Sequence, residues 1–191
     1  MPLLNNGDAF PKIEVPAVGG GTIALPAAVA GSWAVILIYR GAWCPFCNAQ
    51  LAGFAAEKEA LDRLGVKVVA LSVDAEAASA ATKAKNHVQF AVGHSADADA
   101  VAAVTGAFVN PSPHFLQPAG FVLAPDGTVK AAAYATSAIG RVVAKDVVGF
   151  VGYLQSVAAK AAAAEQERAR RTLSKPSLDK EGPERQVALR A

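Results

Sequence analysis

Ala34-Val35-Ile36-Leu37-Ile38-Tyr39-Arg40-Gly41-Ala42-Trp43-Cys44-Pro45-Phe46-Cys47 is the stretch from which the fold of this chain can be read. Its first half is a continuous apolar run of strand length, the pattern of a strand buried on both faces. Its second half holds the only two cysteines of the chain, separated by two residues. Pro45 suits the first turn of a helix, where a missing N–H costs nothing. Leu51, Phe54, Ala55, Leu61 and Leu64 then recur at helical spacing until Gly65. A sulfur at the start of that helix lies at the positive end of its dipole, where a thiolate is favoured. The other lies one turn on and on the same face, within reach of a bond to the first.

The neighbouring segments extend the pattern. Residues 1–30 are rich in proline and glycine, and Lys12–Val18 and Thr22–Leu25 flank Gly19-Gly20-Gly21 as a small hairpin or irregular segment. Val66–Val73 reads as a second buried strand, and Asp74 as the cap of a helix over Ala75–Ala84. The resulting strand–helix–strand unit implies a right-handed crossover and a parallel pair. A short strand near Val88–Val92, a helix over Ala98–Val104 and a proline-bearing loop over 105–118 follow. Gly120–Leu123, an Asp126-Gly127 turn and Thr128–Tyr134 read as a hairpin. A helix then starts near Val143 and loses its apolar stripe in Ala161–Arg171. The expected fold is α/β and thioredoxin-like: a central mixed sheet flanked by helices, with an N-terminal extension. Residues 1–160 are expected to form this domain, and 161–191 a helix extension and charged tail.

Composition narrows the function. The chain has 191 residues and a net charge of +2, with basic residues scattered rather than gathered. That pattern favours neither nucleic acid nor a membrane surface as partner. No run approaches the roughly 18 uninterrupted apolar residues of a membrane span, and the N-terminus lacks the layout of a secretory signal. A cytoplasmic location is the expectation. In a reducing compartment a close cysteine pair is catalytic, redox-sensing or metal-binding rather than a structural bond. A structural zinc ion wants four ligands, and there is no second cysteine pair. No metal and no organic cofactor are therefore expected.

The segment Leu37–Cys47 resembles the active-site segment of peroxiredoxin-like proteins of the alkyl hydroperoxide reductase/thiol-specific antioxidant group, in the thioredoxin superfamily. The resemblance continues through Ala70–Asp74, Gly120–Gly127 and Ala138–Arg141, and covers about residues 8–157. It implies an antioxidant thiol oxidoreductase. Cys47 falls on the position whose cysteine attacks the peroxide, and Cys44 on that family's threonine position. Gln50 matches a polar residue three positions after the reactive cysteine, and Arg141 an arginine that follows a glycine beyond the hairpin. Two departures stand out. The family's proline ahead of the threonine is missing, with Arg40-Gly41 in that stretch, and the arginine at the start of the hairpin strand falls near Pro118-Ala119. Arg40 is a candidate replacement for that charge. Pro118 instead matches the cis-proline of thioredoxin-like reductases.

The catalytic candidates are thus Cys44 and Cys47, supported by Trp43, Gln50, Pro118, Arg141 and Arg40. Trp43 is expected to shield the thiolate, and Cys44 to be the more exposed sulfur. Two enzymatic readings stay open at this stage, reduction of hydroperoxides and reduction of protein disulfides. Both cycle the pair between dithiol and disulfide with a thioredoxin- or glutathione-type electron donor. A non-catalytic redox sensor is the competing reading. Apolar residues in the tail leave a homodimer open.

Overall fold

Ile13–Pro16 (β1) and Thr22–Leu25 (β2) pair antiparallel around the three glycines, and their alternation buries Ile13, Val15, Ile23 and Leu25. The computed structural model describes residues 3–173. Two compact units divide the chain, 1–152 and 153–191.

In the first unit, Trp33–Ile38 (β3) is the middle strand of a five-stranded sheet. Pro45–Ala56 (α1) and Lys58–Arg63 (α2) follow it, with the helix interrupted at Glu57 rather than continuous to Gly65. Val66–Leu71 (β4), Glu76–Lys85 (α3), Ala91–Gly93 (β5) and Ala98–Thr105 (α4) come next. Val109–Pro111 (β6) and His114–Leu116 (β7) form a small hairpin, where the sequence suggested only a loop. Two three-residue strands among three prolines carry too little alternation to announce themselves. Ala119–Leu123 (β8) and Val129–Tyr134 (β9) complete the sheet, and Ala144–Leu173 (α5) closes the described chain.

The strand order is β5-β4-β3-β8-β9. β3 pairs parallel with β4, which pairs parallel with β5; β8 runs antiparallel to both β3 and β9. This is the mixed α/β sheet expected from the sequence. Alternation along β3 explains its central place. Ala34, Ile36 and Ile38 face one apolar core with the β1–β2 hairpin and α4, while Val35, Leu37 and Tyr39 face the other, which holds both cysteines. A strand that must bury both faces can only be internal.

α1 lies on the second core, burying Cys47, Leu51 and Phe54 at i, i+4 and i+7. Each large apolar side chain buried in this way contributes about 1.5–3 kcal/mol. Val142 packs against β8 where Gly120 leaves room: a Cβ at Gly120 would stand 2.6 Å from Val142 Cγ2. The same segment is tied to the first half of α1, where Gln50 donates to the Val142 carbonyl.

In the second unit, residues 153–173 continue α5. By length and composition α5 is the one described helix apolar enough to cross a membrane. Its stretch 147–164 carries a single charged side chain, Lys160. The tail residues Leu178, Val187 and Leu189, behind the homodimer expectation, lie outside the described residues.

Candidate active site

The reactive sulfurs are positioned by the junction of β3 and α1. Cys44 is the N-cap of α1, with extended backbone, and its Sγ accepts the Cys47 N–H at 3.4 Å. A thiol here does the work of the serine or aspartate that normally satisfies the first helical amides. Cys47 Sγ accepts the Arg40 N–H at 3.3 Å. Both sulfurs are free thiols on one side of the first turn, as the two-residue spacer implies.

Arg141 joins the pair from the far end of the unit. Its Nη2 donates to Cys47 Sγ at 3.2 Å and to Cys44 Sγ at 3.7 Å. Its Nη1 donates to Gln50 Oε1 and its Nε to the Ala138 carbonyl, both at 3.0 Å. Gln50 in turn donates to the Val142 carbonyl at 2.9 Å. Gln50 therefore orients the guanidinium and anchors the segment that carries it, so that one cation is fixed in three directions.

The loop from Arg40 to Trp43 is held by contacts distant in sequence. Asp74 Oδ2 accepts the Ala42 N–H at 2.8 Å and the Ser72 hydroxyl at 3.1 Å. Asp74 thus corrects the sequence reading: α3 has Ala75 at its N-cap with no side-chain cap, because the Asp74 carboxylate is already engaged. Asn48 donates to the carbonyls of Ala42 and Cys44 at 2.9 and 2.8 Å, and Asn86 donates to Asn48 Oδ1 at 2.7 Å. Gly41 sits at φ +152°, and a Cβ there would lie 2.6 Å from Trp43 Nε1 and 2.9 Å from Asp74 Oδ1. Only glycine fits that turn.

Trp43 is 56% exposed and packs edge-on against buried Phe115, ring centroids 5.1 Å apart. The Arg40 guanidinium lies 4.7 Å from the Trp43 ring and 5.0 Å from the Phe115 ring. The aromatic pair holds this second cation through its ring faces. Pro118 is buried at the head of β8, where its carbonyl accepts the Ala135 N–H. The cis peptides are Leu25–Pro26 and Ser112–Pro113, so the Gln117–Pro118 bond is trans and the cis-proline match does not hold. The structure gathers Cys44, Cys47, Gln50 and Arg141 through direct hydrogen bonds, with Arg40 and Trp43 beside them. Asp74, Asn48 and Phe115 are the positioning residues that sequence reasoning missed. The one available signal was Ser72-Val73-Asp74, polar residues at the carboxyl end of a parallel strand, where such sheets place their sites.

Neither sulfur presents surface to solvent, and Cys44 lies under the thinner cover of the two, as expected. Their titration is shared. Burial pushes the Cys44 thiol up, but hydrogen bonds from the Cys47 side chain and amide, with the Arg141 and Arg40 charges, bring it below the ordinary thiol range. Burial and the hydrogen bond with Cys44 raise Cys47, against the Arg40 amide and the Arg141 charge. The first proton therefore leaves the pair easily and the second with difficulty.

A pH dependence of stability follows. Between the lowered first step and the ordinary thiol value near ~8.5, the folded pair holds fewer protons than the unfolded chain, so stability rises with pH. Between that value and the raised second step it holds more, and stability falls. Urea titrations across this range are expected to show such a maximum, absent from the Cys44→Ser/Cys47→Ser double variant.

A model described as the AhpC/TSA family matches residues 6–132. A peroxiredoxin of Chlorobaculum tepidum is 34% identical over 74 residues, which are 39% of this chain and 34% of that protein. A peroxiredoxin of Methanothermobacter thermautotrophicus is 29% identical over 147 residues, 74% of this chain and 68% of the other. The chain thus spans about a third of the length of the first of these relatives. Among solved structures, Mycobacterium tuberculosis AhpC superposes with a TM-score of 0.69 at 18% identity, over 81% of this chain and 95% of that one. The reduced 2-Cys peroxiredoxin of Plasmodium vivax gives 0.66 at 17% identity, over 79% and 96%. These superpositions establish the thioredoxin-like fold.

Proposed function

Since this chain belongs to the AhpC/TSA family, we propose that it is a thiol peroxidase that reduces hydroperoxides with Cys47 and resolves the product with Cys44. The observation that carries this reading is the complete burial of two sulfurs that share one arginine. A protein disulfide must reach the attacking sulfur in line with its own S–S bond, and buried sulfurs deny it that approach. A hydroperoxide presents two oxygen atoms and needs only a small opening.

Cys47 is the attacking sulfur in this reading. It receives the shorter contact from Arg141 and the Arg40 amide, donors that hold a thiolate in place. The resemblance also implies the peroxide-reactive role for it. The Cys47 thiol passes its proton to the Cys44 thiolate, the sulfur that ionises first, and attacks the terminal oxygen of RO–OH; an S–O bond forms, the O–O bond breaks and the alkoxide leaves as ROH after taking a proton. The Cys47 sulfenic acid then meets the Cys44 thiol, and a disulfide forms with loss of water. Sulfur loses two electrons in all, and the peroxide gains them.

A thioredoxin- or glutathione-type donor in a reducing compartment such as the cytoplasm then returns the disulfide to the dithiol. Phe46, Ile139 and Val143 are exposed around a cavity of about 340 Å³ beside Gln50 and Arg141. That apolar rim supports contact with a second copy of the chain. Titrating reduced protein with hydrogen peroxide is expected to remove both thiols for each peroxide consumed. Thiols that persist at excess peroxide would refute the reading.

A further inference from the structure

The face of α1 that buries Cys47, Leu51 and Phe54 continues at the same spacing through Lys58 and Leu61 of α2. A lysine therefore stands where the stripe calls for an apolar side chain. Beside it opens a cavity of about 370 Å³, lined by Phe54, Lys58 and Leu61 on the helical side and by residues 66–68 and Phe90 on the sheet side. The sheet is incomplete there. β4 pairs with β3 from Val66 onward, but with β5 only from Val69. Residues 66–68 thus have no neighbouring strand on the β5 side. The floor of the cavity is apolar, with Phe54 and Leu61 no more than 2% exposed. Two cations stand at its rim. Lys58 is paired to Asp62, which also lines the cavity. Lys67 is exposed and forms no ion pair among the described residues.

Small-molecule sites are concave and mostly apolar, with volumes of roughly 300–1,000 Å³ and a few polar groups that orient the ligand. Charge decides which ligand suits this one. Asp62 neutralises Lys58, which leaves Lys67 as the uncompensated cation above an apolar floor. We infer that the cavity binds an amphipathic monoanion, an apolar body ending in a carboxylate. The body rests on Phe54, Leu61 and Phe90, and so leaves water. The carboxylate pairs with Lys67 at the exposed rim, where both charges stay partly hydrated and neither bears the cost of full burial. A cationic amphiphile of the same shape meets a like charge at that point, so the rim discriminates by repulsion as well as attraction. None of the lining side chains takes part in the hydrogen bonds around the thiols. Phe54 nevertheless stands about two turns from Cys47, so the ligand rests on the helix that carries the reactive pair.

Isothermal titration calorimetry of the whole reduced chain tests this with two probes of equal chain length, decanoate and decyltrimethylammonium, each kept below its micellar range. One decanoate is expected to bind per chain, about tenfold or more tightly than the cation. Lys67→Glu is expected to abolish or reverse that preference. Ala28 is an exposed residue of the lining, and Ala28→Phe is expected to fill the cavity and weaken decanoate about tenfold or more. Circular dichroism checks that each variant folds. Lys67→Ala, expected to abolish the preference, replaces an unfolded Lys67→Glu. Ala91→Leu, at another exposed lining residue, replaces an unfolded Ala28→Phe with the same expectation. Four results would each overturn the inference: no saturable decanoate binding to the wild type, equal affinity for the two probes, a preference that survives the loss of Lys67, or undiminished decanoate affinity in the filled variant.

Discussion

Cys47→Ser protein is expected to consume no hydroperoxide, while Cys44→Ser protein takes up one oxygen atom at Cys47 and stops there. The asymmetry follows from the donors around each sulfur. Cys47 Sγ has the Arg40 amide at 3.3 Å and Arg141 Nη2 at 3.2 Å; Cys44 Sγ has the Cys47 amide at 3.4 Å and Arg141 at 3.7 Å. Removing the attacking sulfur eliminates the nucleophile, a loss of at least about three orders of magnitude in peroxide rate. Removing Cys44 spares the first step and blocks the second, so the sulfenic acid persists and is captured by dimedone. A serine hydroxyl at position 44 still accepts the Cys47 N–H as an ordinary helix cap, so this variant is expected to keep its fold. Dimedone labelling with peptide mapping reads the outcome. Sulfenic acid trapped at Cys44 in the Cys47→Ser protein would reverse the assignment.

Arg141→Met is expected to lower the peroxide rate by about 10²–10³. Methionine fills much of the space but provides none of the hydrogen bonds to Cys44, Cys47, Gln50 and the Ala138 carbonyl. Two effects combine. The thiolate loses its nearest cation, so the first proton of the pair leaves at higher pH. The developing charge on the peroxide also loses a fixed donor. Arg141→Lys retains a charge but not the three-way grip, so its rate is expected to fall between the two. Stopped-flow measurement of thiol loss, repeated across pH, separates the effects: the thiolate contribution vanishes at high pH and the donor contribution does not. A Met variant within about threefold of wild type at all pH values would remove Arg141 from the mechanism.

The parts of the site legible in the sequence are local ones. Val35–Tyr39, Pro45 and the Cys44–Cys47 spacing are short-range signals, and the structure builds β3 and α1 from them. Gln50 follows on the same helix. Asp74 was misread for an instructive reason. An aspartate just ahead of a helical stretch is a cap by every local rule, but its carboxylate is taken by Ala42, 32 positions away. Pro118 fails in the same way, since a local match to a proline motif does not fix its peptide isomer. The burial of Cys44 was equally out of reach, because Arg141 arrives from 97 residues away.

The most direct measurement is peptide mass mapping of the reduced protein after one equivalent of hydrogen peroxide. A monomer lighter by two hydrogens, with Cys44 and Cys47 joined to each other, is the predicted product. Recovery of both cysteines as free thiols, or of the added oxygen on Cys44, would contradict it.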